Sequence, residues 1–230
     1  MKKISYMEKL RIFEAFAGYG SQAMALKRLK EDYSAFDYEV VGISEIDKYA
    51  IKSYNAVHGE TKNYGDISKI DWNGVPDFDL LTYSFPCTDL SNAGLMKGME
   101  KGSGTRSSLL WECEKAVKIK RPKFLLMENV KALVSKRFYP CFNEWIMLMD
   151  SYGYDSSWKI LNAKDYGVPQ NRERVFCVSV LRDENGGGLY DFPKPFELKC
   201  LLDDVLEDNV NESMYIKREQ VDKFINMMRK

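Results

Sequence analysis

The sequence predicts an α/β fold, a doubly wound and mostly parallel sheet with helices on both faces and an antiparallel last strand. Three observations carry that expectation. Short β-rich apolar runs alternate with helical patterns along most of the chain, the rhythm of strands joined by crossover helices. Two of the runs, DLLTYS (79–84) and KFLLMEN (123–129), are almost continuously apolar, as strands covered on both faces must be. The first run passes directly into Phe16-Ala17-Gly18-Tyr19-Gly20-Ser21 and then a helical pattern, a strand–turn–helix entry typical of nucleotide-binding sheets.

In chain order, strands are expected at Ile12–Phe16, Tyr38–Ile43, Asp79–Tyr83, Lys123–Met127, Ser157–Leu161 and Val175–Leu181, with a further strand-like element ending at Gly65-Asp66-Ile67. Helices are expected at Gln22–Lys30, Lys48–His58, Ser107–Lys120 and Pro140–Tyr152. A hairpin-like turn over Asp165–Arg172 makes the last strand antiparallel. Asn185-Gly186-Gly187-Gly188 is a strong break. Beyond it the chain becomes acidic and proline-interrupted, with exposed-looking apolar residues (Phe192, Phe196, Leu201, Leu202, Val205, Leu206), and closes on a helical pattern at Gln220–Lys230. The reading is one domain over 1–190 and an exit segment over 191–230.

Composition narrows the function. With 230 residues, 45% apolar and 30% charged, the chain can build a full domain core and is not globally disordered. No apolar run approaches the ~18 residues of a membrane span, and MKKISYMEKLRIF contains no secretory apolar stretch. A cytoplasmic protein without a membrane partner is expected. Lys+Arg and Asp+Glu are 34 each, so any affinity for nucleic acid must come from local clusters of charge or from another part. The five cysteines are odd in number and widely spaced, which suits neither a disulfide framework nor a zinc site; no metal is expected. A single histidine, His58, leaves little room for most hydrolase mechanisms.

The glycine turn lets backbone approach a ligand at a helix N-terminus, although any tight βα turn favours glycine, and the third glycine of the dinucleotide fingerprint is missing. Glu45, 25 positions after Gly20, stands where an acid can accept from ribose hydroxyls, and Asp66 could accept from an adenine amino group. Either acid could instead be a helix cap, as Asp47 suggests. Together with the turn they describe a nucleoside pocket. The most informative segment is Ser84-Phe85-Pro86-Cys87-Thr88-Asp89-Leu90-Ser91, a cysteine after a proline at a strand's carboxyl end. A lone cysteine is usually a small core residue, but the long loop after it, to Arg106, reads as a lid. Glu128-Asn129 buries polar groups that need partners. Gln170-Asn171-Arg172-Glu173-Arg174 places Arg172 and Arg174 on one face by strand alternation.

Taken in order, FAGYGS, SEID, GDI, FPCTDLS, TRSSLLWE, MENV and QNRER resemble the DNA (cytosine-5) methyltransferase family over residues 12 to about 180. The resemblance implies a Rossmann-like fold that uses S-adenosyl-L-methionine. Phe16, Gly18 and Gly20 would line the cofactor pocket, with Glu45 on the ribose and Ile46 against the adenine. Asp66 and Ile67 would meet the adenine edge, and Pro86 and Leu109 would complete the wall. Cys87 matches the nucleophile, Glu128 the catalytic glutamate and Arg174 the arginine that holds the flipped base; Arg172 and Asn129 match supporting positions. Ser21, Ser84 and Thr88 depart from the commoner residues of the family.

The implied partner is double-stranded DNA. The region that reads a DNA sequence has no counterpart here, which calls for a C-terminal portion or a second polypeptide and leaves this chain inactive alone or weakly so. Three other readings are a methyltransferase-like binding module, an RNA cytosine methyltransferase and a nucleotide-dependent oxidoreductase. The last has no use for Pro86-Cys87.

Overall fold

The computed structural model describes residues 9–90, 97–182 and 187–228. The chain divides into two compact units, one formed by residues 1–162 and 173–194, the other by 163–172 and 195–230.

In the first unit, β1 (Leu10–Ala15) leads through a glycine turn to α1 (Ser21–Asp32), then β2 (Tyr38–Ser44), α2 (Lys48–His58), β3 (Leu80–Tyr83), α3 (Cys113–Lys120), β4 (Phe124–Val130), α4 (Tyr139–Ser151), β5 (Tyr154–Asn162) and β6 (Glu173–Leu181). The six strands form one sheet in the order β2-β1-β3-β4-β6-β5. β2, β1, β3 and β4 are parallel, and β6 runs antiparallel to both neighbours, as the hairpin-like turn required. The chain reverses its direction of winding between β1 and β3. A crevice at the carboxyl ends of strands opens at such a switch point.

Alternation of side chains sorts the core onto two faces. Phe13 and Ala15 of β1, Leu81 and Tyr83 of β3, Leu125 and Met127 of β4, and Val175 and Cys177 of β6 share one cluster with Ala116 and Val117 of α3 and Phe142 and Trp145 of α4. A smaller cluster joins Ile43 of β2 to Ala23 of α1 and Tyr54 of α2.

Local chemistry fixes the ends of elements. Asp47 caps α2 by accepting from the N–H groups of Tyr49 and Ala50. Gly20 precedes α1 with no side chain to cap it; the buried Glu14 carboxylate of β1 accepts from Ala23 N–H at 3.0 Å instead and also takes the Tyr54 hydroxyl at 2.5 Å. Burial raises the Glu14 carboxyl above the usual range against both hydrogen bonds.

Three sequence expectations need correction. The first strand stops at Ala15 and not Phe16, because Phe16 turns to φ +56°, outside the β region. The helix expected over Ser107–Lys120 is a 3₁₀ turn over Ser107–Glu112 followed by α3. The tighter winding eclipses residues three apart and so aligns Ser107, Leu110 and Cys113, all buried. The strand-like element before Asp66 makes a single bridge, Ile43 to Asn63; side chains add further ties, Asn63 accepting from Glu45 N–H and donating to Glu45 O, and the Ser44 hydroxyl donating to Gly65 O. Ser91 and the Asn185-Gly186 half of the break lie outside the described residues, as do residues 91–96 of the expected lid loop.

The second unit starts with a 3₁₀ turn at Ala163–Tyr166. Phe196 packs edge-on against Tyr166 with ring centroids 6.1 Å apart, and its N–H donates to Asp165 O. α5 (Arg218–Met228) has no buried residue, and Phe224 is 58% exposed. Of the apolar residues expected to be exposed, Phe196, Leu201, Leu202, Val205 and Leu206 are, while Phe192 is half-buried and meets the Tyr190 ring edge-on.

Candidate active site

The parallel registers align Ala15 of β1 with Ser44 of β2 and Tyr83 of β3, and Tyr83 with Met127 of β4. Phe16, Glu45, Ser84 and Glu128 are each the next residue along, so four of the sequence motifs emerge at one level of the sheet's carboxyl edge.

On the β1–β2 side the site is built from backbone. Phe16, Gly18 and Gly20 all have positive φ, which costs glycine little. At Gly20 the demand is also spatial, since a Cβ would fall 2.5 Å from His58 Nε2 and 2.7 Å from Tyr54. At Gly18 a Cβ would meet nothing within 4 Å, so the turn opens onto free space there. Glu45 Oε2 accepts from Gly18 N–H at 2.8 Å, and Oε1 accepts from the N–H groups of Ile46 and Asp47. A carboxylate has about four acceptor sites; with three filled by backbone, capacity for one more donor remains.

Ile46 beside it is 69% exposed, a free apolar surface, whereas Ile67 is 3% exposed and belongs to the core; only its backbone can face a ligand. Asp66 caps a short turn, its Oδ1 accepting from both the hydroxyl and the N–H of Ser68. The Ser68 hydroxyl and backbone hold its carboxyl below the usual range, so it is an anion at neutral pH. Asp66 is therefore both cap and candidate acceptor. The open turn, the residual acceptor on Glu45 and the exposed Ile46 fit a nucleoside with hydroxyls.

On the β3–β4 side the site is built from side chains. The fully buried Asn129 donates to Phe85 O at 2.9 Å and accepts from Val130 N–H. This bond ties the Phe85-Pro86-Cys87 segment to the strand that carries Glu128. Across the β4–β6 ladder Glu128 faces Phe176 and Val130 faces Arg174, which makes Glu128 and Arg174 diagonal neighbours on one face. Arg174 Nε lies 3.1 Å from Glu128 Oε1, and the two side chains keep 23% and 22% of their surface exposed. A pair held but still open can turn its free atoms toward a ligand. Arg172 lies before β6 in the second unit, its carbonyl accepting from Ala163 N–H, so strand alternation does not govern its direction.

Cys87 is half-buried. Burial pushes the thiols of Cys113, Cys141 and Cys177 up, the second to about 11 and the third to about 12, which keeps them protonated and inert. Leu109 of the expected wall lines a surface cavity with Gly102, Gly104, Thr105, Ser108 and Lys118. Ser107, Asp89 and Asn63, which make the site's internal bonds, were not anticipated. Ser107 had a visible signal, a small polar residue leading an apolar run; Asn63 had none.

The family model for C-5 cytosine-specific DNA methylases matches residues 10–230. The chain belongs to this family. It is 40% identical to the type II methyltransferase M2.ScrFI of Lactococcus lactis subsp. cremoris, over 92% of this chain and 71% of that protein. With the orphan methyltransferase M.SssI of Spiroplasma monobiae it shares 34% identity, over 87% of this chain and 67% of the other. It is 35% identical to the orphan methyltransferase M.Rho11sI of Bacillus phage rho11s, but spans only 49% of that protein. The Dnmt2 methyltransferase of S. pombe has the same fold at a TM-score of 0.69 and 21% identity, over 95% of this chain and 66% of that one. Membership accounts for the mixed six-stranded sheet. Among the described residues no group of three or more His, Cys, Asp or Glu could hold a metal, and no helix is long and apolar enough to cross a membrane.

Proposed function

We propose that this methylase-family chain carries the cofactor and catalytic parts of a DNA (cytosine-5) methyltransferase, and that the chemistry passes through Cys87. The observation that supports it most is the arrangement on β3, β4 and β6. The Phe85 carbonyl, two residues before Cys87, is tied by Asn129 to the strand bearing a carboxylate, which is itself paired to an arginine from the next strand.

Cytosine C5 is a poor nucleophile until a group adds at C6. The Cys87 thiolate is that group: its sulfur forms a bond to C6, and the C5=C6 electron pair moves to C5 and onto the ring. Glu128 bonds at N3 and the exocyclic amine and stabilises that charge; Arg174 holds O2 with a planar donor fork. S-adenosyl-L-methionine, when bound, supplies an electrophilic methyl group. Phe16, Gly18, Gly20, Glu45, Ile46, Asp66, Ile67, Pro86 and Leu109 would hold it. After transfer to C5 a base removes the C5 proton, and the thiolate leaves from C6. The base must be turned out of the duplex to reach Cys87.

The net charge is zero, and phosphate contacts dominate DNA affinity. Sequence recognition is therefore assigned to a C-terminal portion or second polypeptide approached through residues 191–230, with 1–190 as the catalytic domain. A duplex carrying 5-fluorocytosine tests the mechanism, since fluorine cannot leave as a proton. The expected result is a covalent adduct at Cys87 in the presence of cofactor, when the recognition part is supplied. An adduct at Cys113 or Cys141, or methyl transfer to tRNA in preference to DNA, would overturn it.

A further inference from the structure

Ser107 stands at the far end of the loop that follows Cys87, yet its side chain returns to the start. Its hydroxyl donates to Pro86 O at 2.6 Å, and the same oxygen accepts from Asp89 N–H at 3.3 Å. Asp89 answers with Oδ2, which accepts from Ser107 N–H at 3.2 Å. Both residues are buried, Ser107 completely. On one side of this clamp Asn129 holds Phe85 O; on the other Leu90 N–H donates to Cys87 O at 3.0 Å. Three successive carbonyls, those of Phe85, Pro86 and Cys87, are thus occupied, and the Pro86 ring fixes its own φ.

With the peptide planes on both sides of Cys87 pinned, χ1 is the freedom left to Sγ. An attacking atom must sit about 3–3.5 Å from its target with orbitals aligned. A sulfur with one free torsion meets that demand far more often than one on a wandering turn. Two buried polar side chains in an apolar surround stabilise little unless satisfied, and here their bonds converge on the residues flanking one cysteine.

We infer that Ser107, steadied by Asp89, is a positioning residue for Cys87: it anchors the Pro86 carbonyl and so aims the thiol, without touching the reacting atoms. The inference rests on the reading of Cys87 as nucleophile, but its test does not depend on turnover.

The full chain is treated with iodoacetamide and its labelled peptides are quantified by mass spectrometry. Cys200, half-buried and remote in sequence, is the internal reference, and the buried Cys113, Cys141 and Cys177 report unfolding. In Ser107→Ala the freed turn exposes the thiol, and Cys87 labelling rises about fivefold relative to Cys200, the worth of a lost hydrogen bond. The three buried cysteines stay unlabelled. Capture of 5-fluorocytosine duplex, with cofactor and the recognition part present, slows by a similar factor. Undirected reactivity and directed reactivity therefore move in opposite directions, which simple loosening of the fold cannot produce.

Asp89→Ala follows in the same direction. Asp89→Asn keeps a carbonyl oxygen for Ser107 N–H and stays within about twofold of the parent. Unchanged Cys87 labelling in both alanine variants would overturn the inference. So would a rise shared by Cys113, Cys141 and Cys177, since the pair would then only support the fold. If Cys87→Ser retained methyl transfer while the labelling pattern held, the mechanism would fall and the anchoring of Cys87 would stand.

Discussion

The two ends of the sheet's carboxyl edge are made of different material. After β1 and β2 the site is main chain: three positive-φ residues and a carboxylate whose three hydrogen bonds all come from backbone N–H groups. After β3 and β4 it is side chain, with Asn129, Ser107 and Arg174 reaching in from three separate elements. The first end can be damaged by adding atoms, the second by removing them. A cofactor with one fixed shape suits the first, and a reacting base whose charge changes suits the second.

The sharpest way to break the contrast is at the side-chain end. Cys87→Ser is expected to abolish methyl transfer in the complete enzyme, and Glu128→Gln to lower it by about 10²–10³-fold, as loss of a group aimed at developing charge does. Cofactor affinity should hardly change in either, as titration calorimetry would reveal. A parallel loss of cofactor binding would mean that the two ends are not separable.

At the main-chain end the expected damage comes from a methyl group. Gly20→Ala forces a side chain into a left-handed conformation and against His58 and Tyr54; about 2–4 kcal/mol of stability should be lost, read from urea unfolding. Gly18→Ala has a similar φ but open space, so its cost is nearer 1 kcal/mol. Its added methyl should instead lower cofactor affinity. Unaltered cofactor affinity in Gly18→Ala would show that the space beside Gly18 is not a binding surface.

Glu45→Ala and Asp66→Ala should each weaken S-adenosyl-L-methionine binding by about 1.5–3 kcal/mol, the range for hydrogen bonds to charged groups. Glu45→Ala has the further effect of releasing Gly18 N–H. Calorimetry showing unaltered affinity in both would move the pocket elsewhere.

The smallest effect lies away from both ends. Burial acts to raise the Glu114 carboxyl, but Lys101, Lys118 and the Tyr152 hydroxyl outweigh it and hold the group at about 2, below an ordinary value of 4.5. Its folded value is depressed, so its contribution is complete above pH 4.5 and is lost as pH falls toward 2. Glu114→Gln should flatten the acid side of the stability profile over that interval, measured by urea midpoints. A profile unchanged from the parent would discount the cluster.

The same division explains what the sequence disclosed. The alternation of elements, the antiparallel last strand and the glycine turn are local matters of pattern, and they were readable. Cys87, Glu128 and Arg174 stood out through their order along the chain, which no propensity supplies. Ser107 and Asp89 escaped because their meaning is a bond across 18 residues, and the 3₁₀ winding that turns Ser107 inward is set by packing of Leu110 and Cys113. The lone bridge at Asn63 looked like a strand since side-chain bonding to Glu45 leaves no periodic trace. Arg172 and Arg174 looked equivalent by alternation, but β6 begins between them.

The position of β6 carries a consequence for how the molecule is made. Within the sheet β5 has one neighbour, β6, and among the described strands β6 is the last in chain order. A nascent chain that has just delivered β5 can already hold β2, β1, β3 and β4 together, while β5 has nothing to pair with. The hairpin of β5 and β6 must form before or as it zips onto β4. Domains fold in the order the ribosome releases them, and here Arg174 arrives at Glu128 only with that final zipping. The end that would hold the cofactor is thus complete early in synthesis. The end that would bind the base stays unarmed until the sheet is closed.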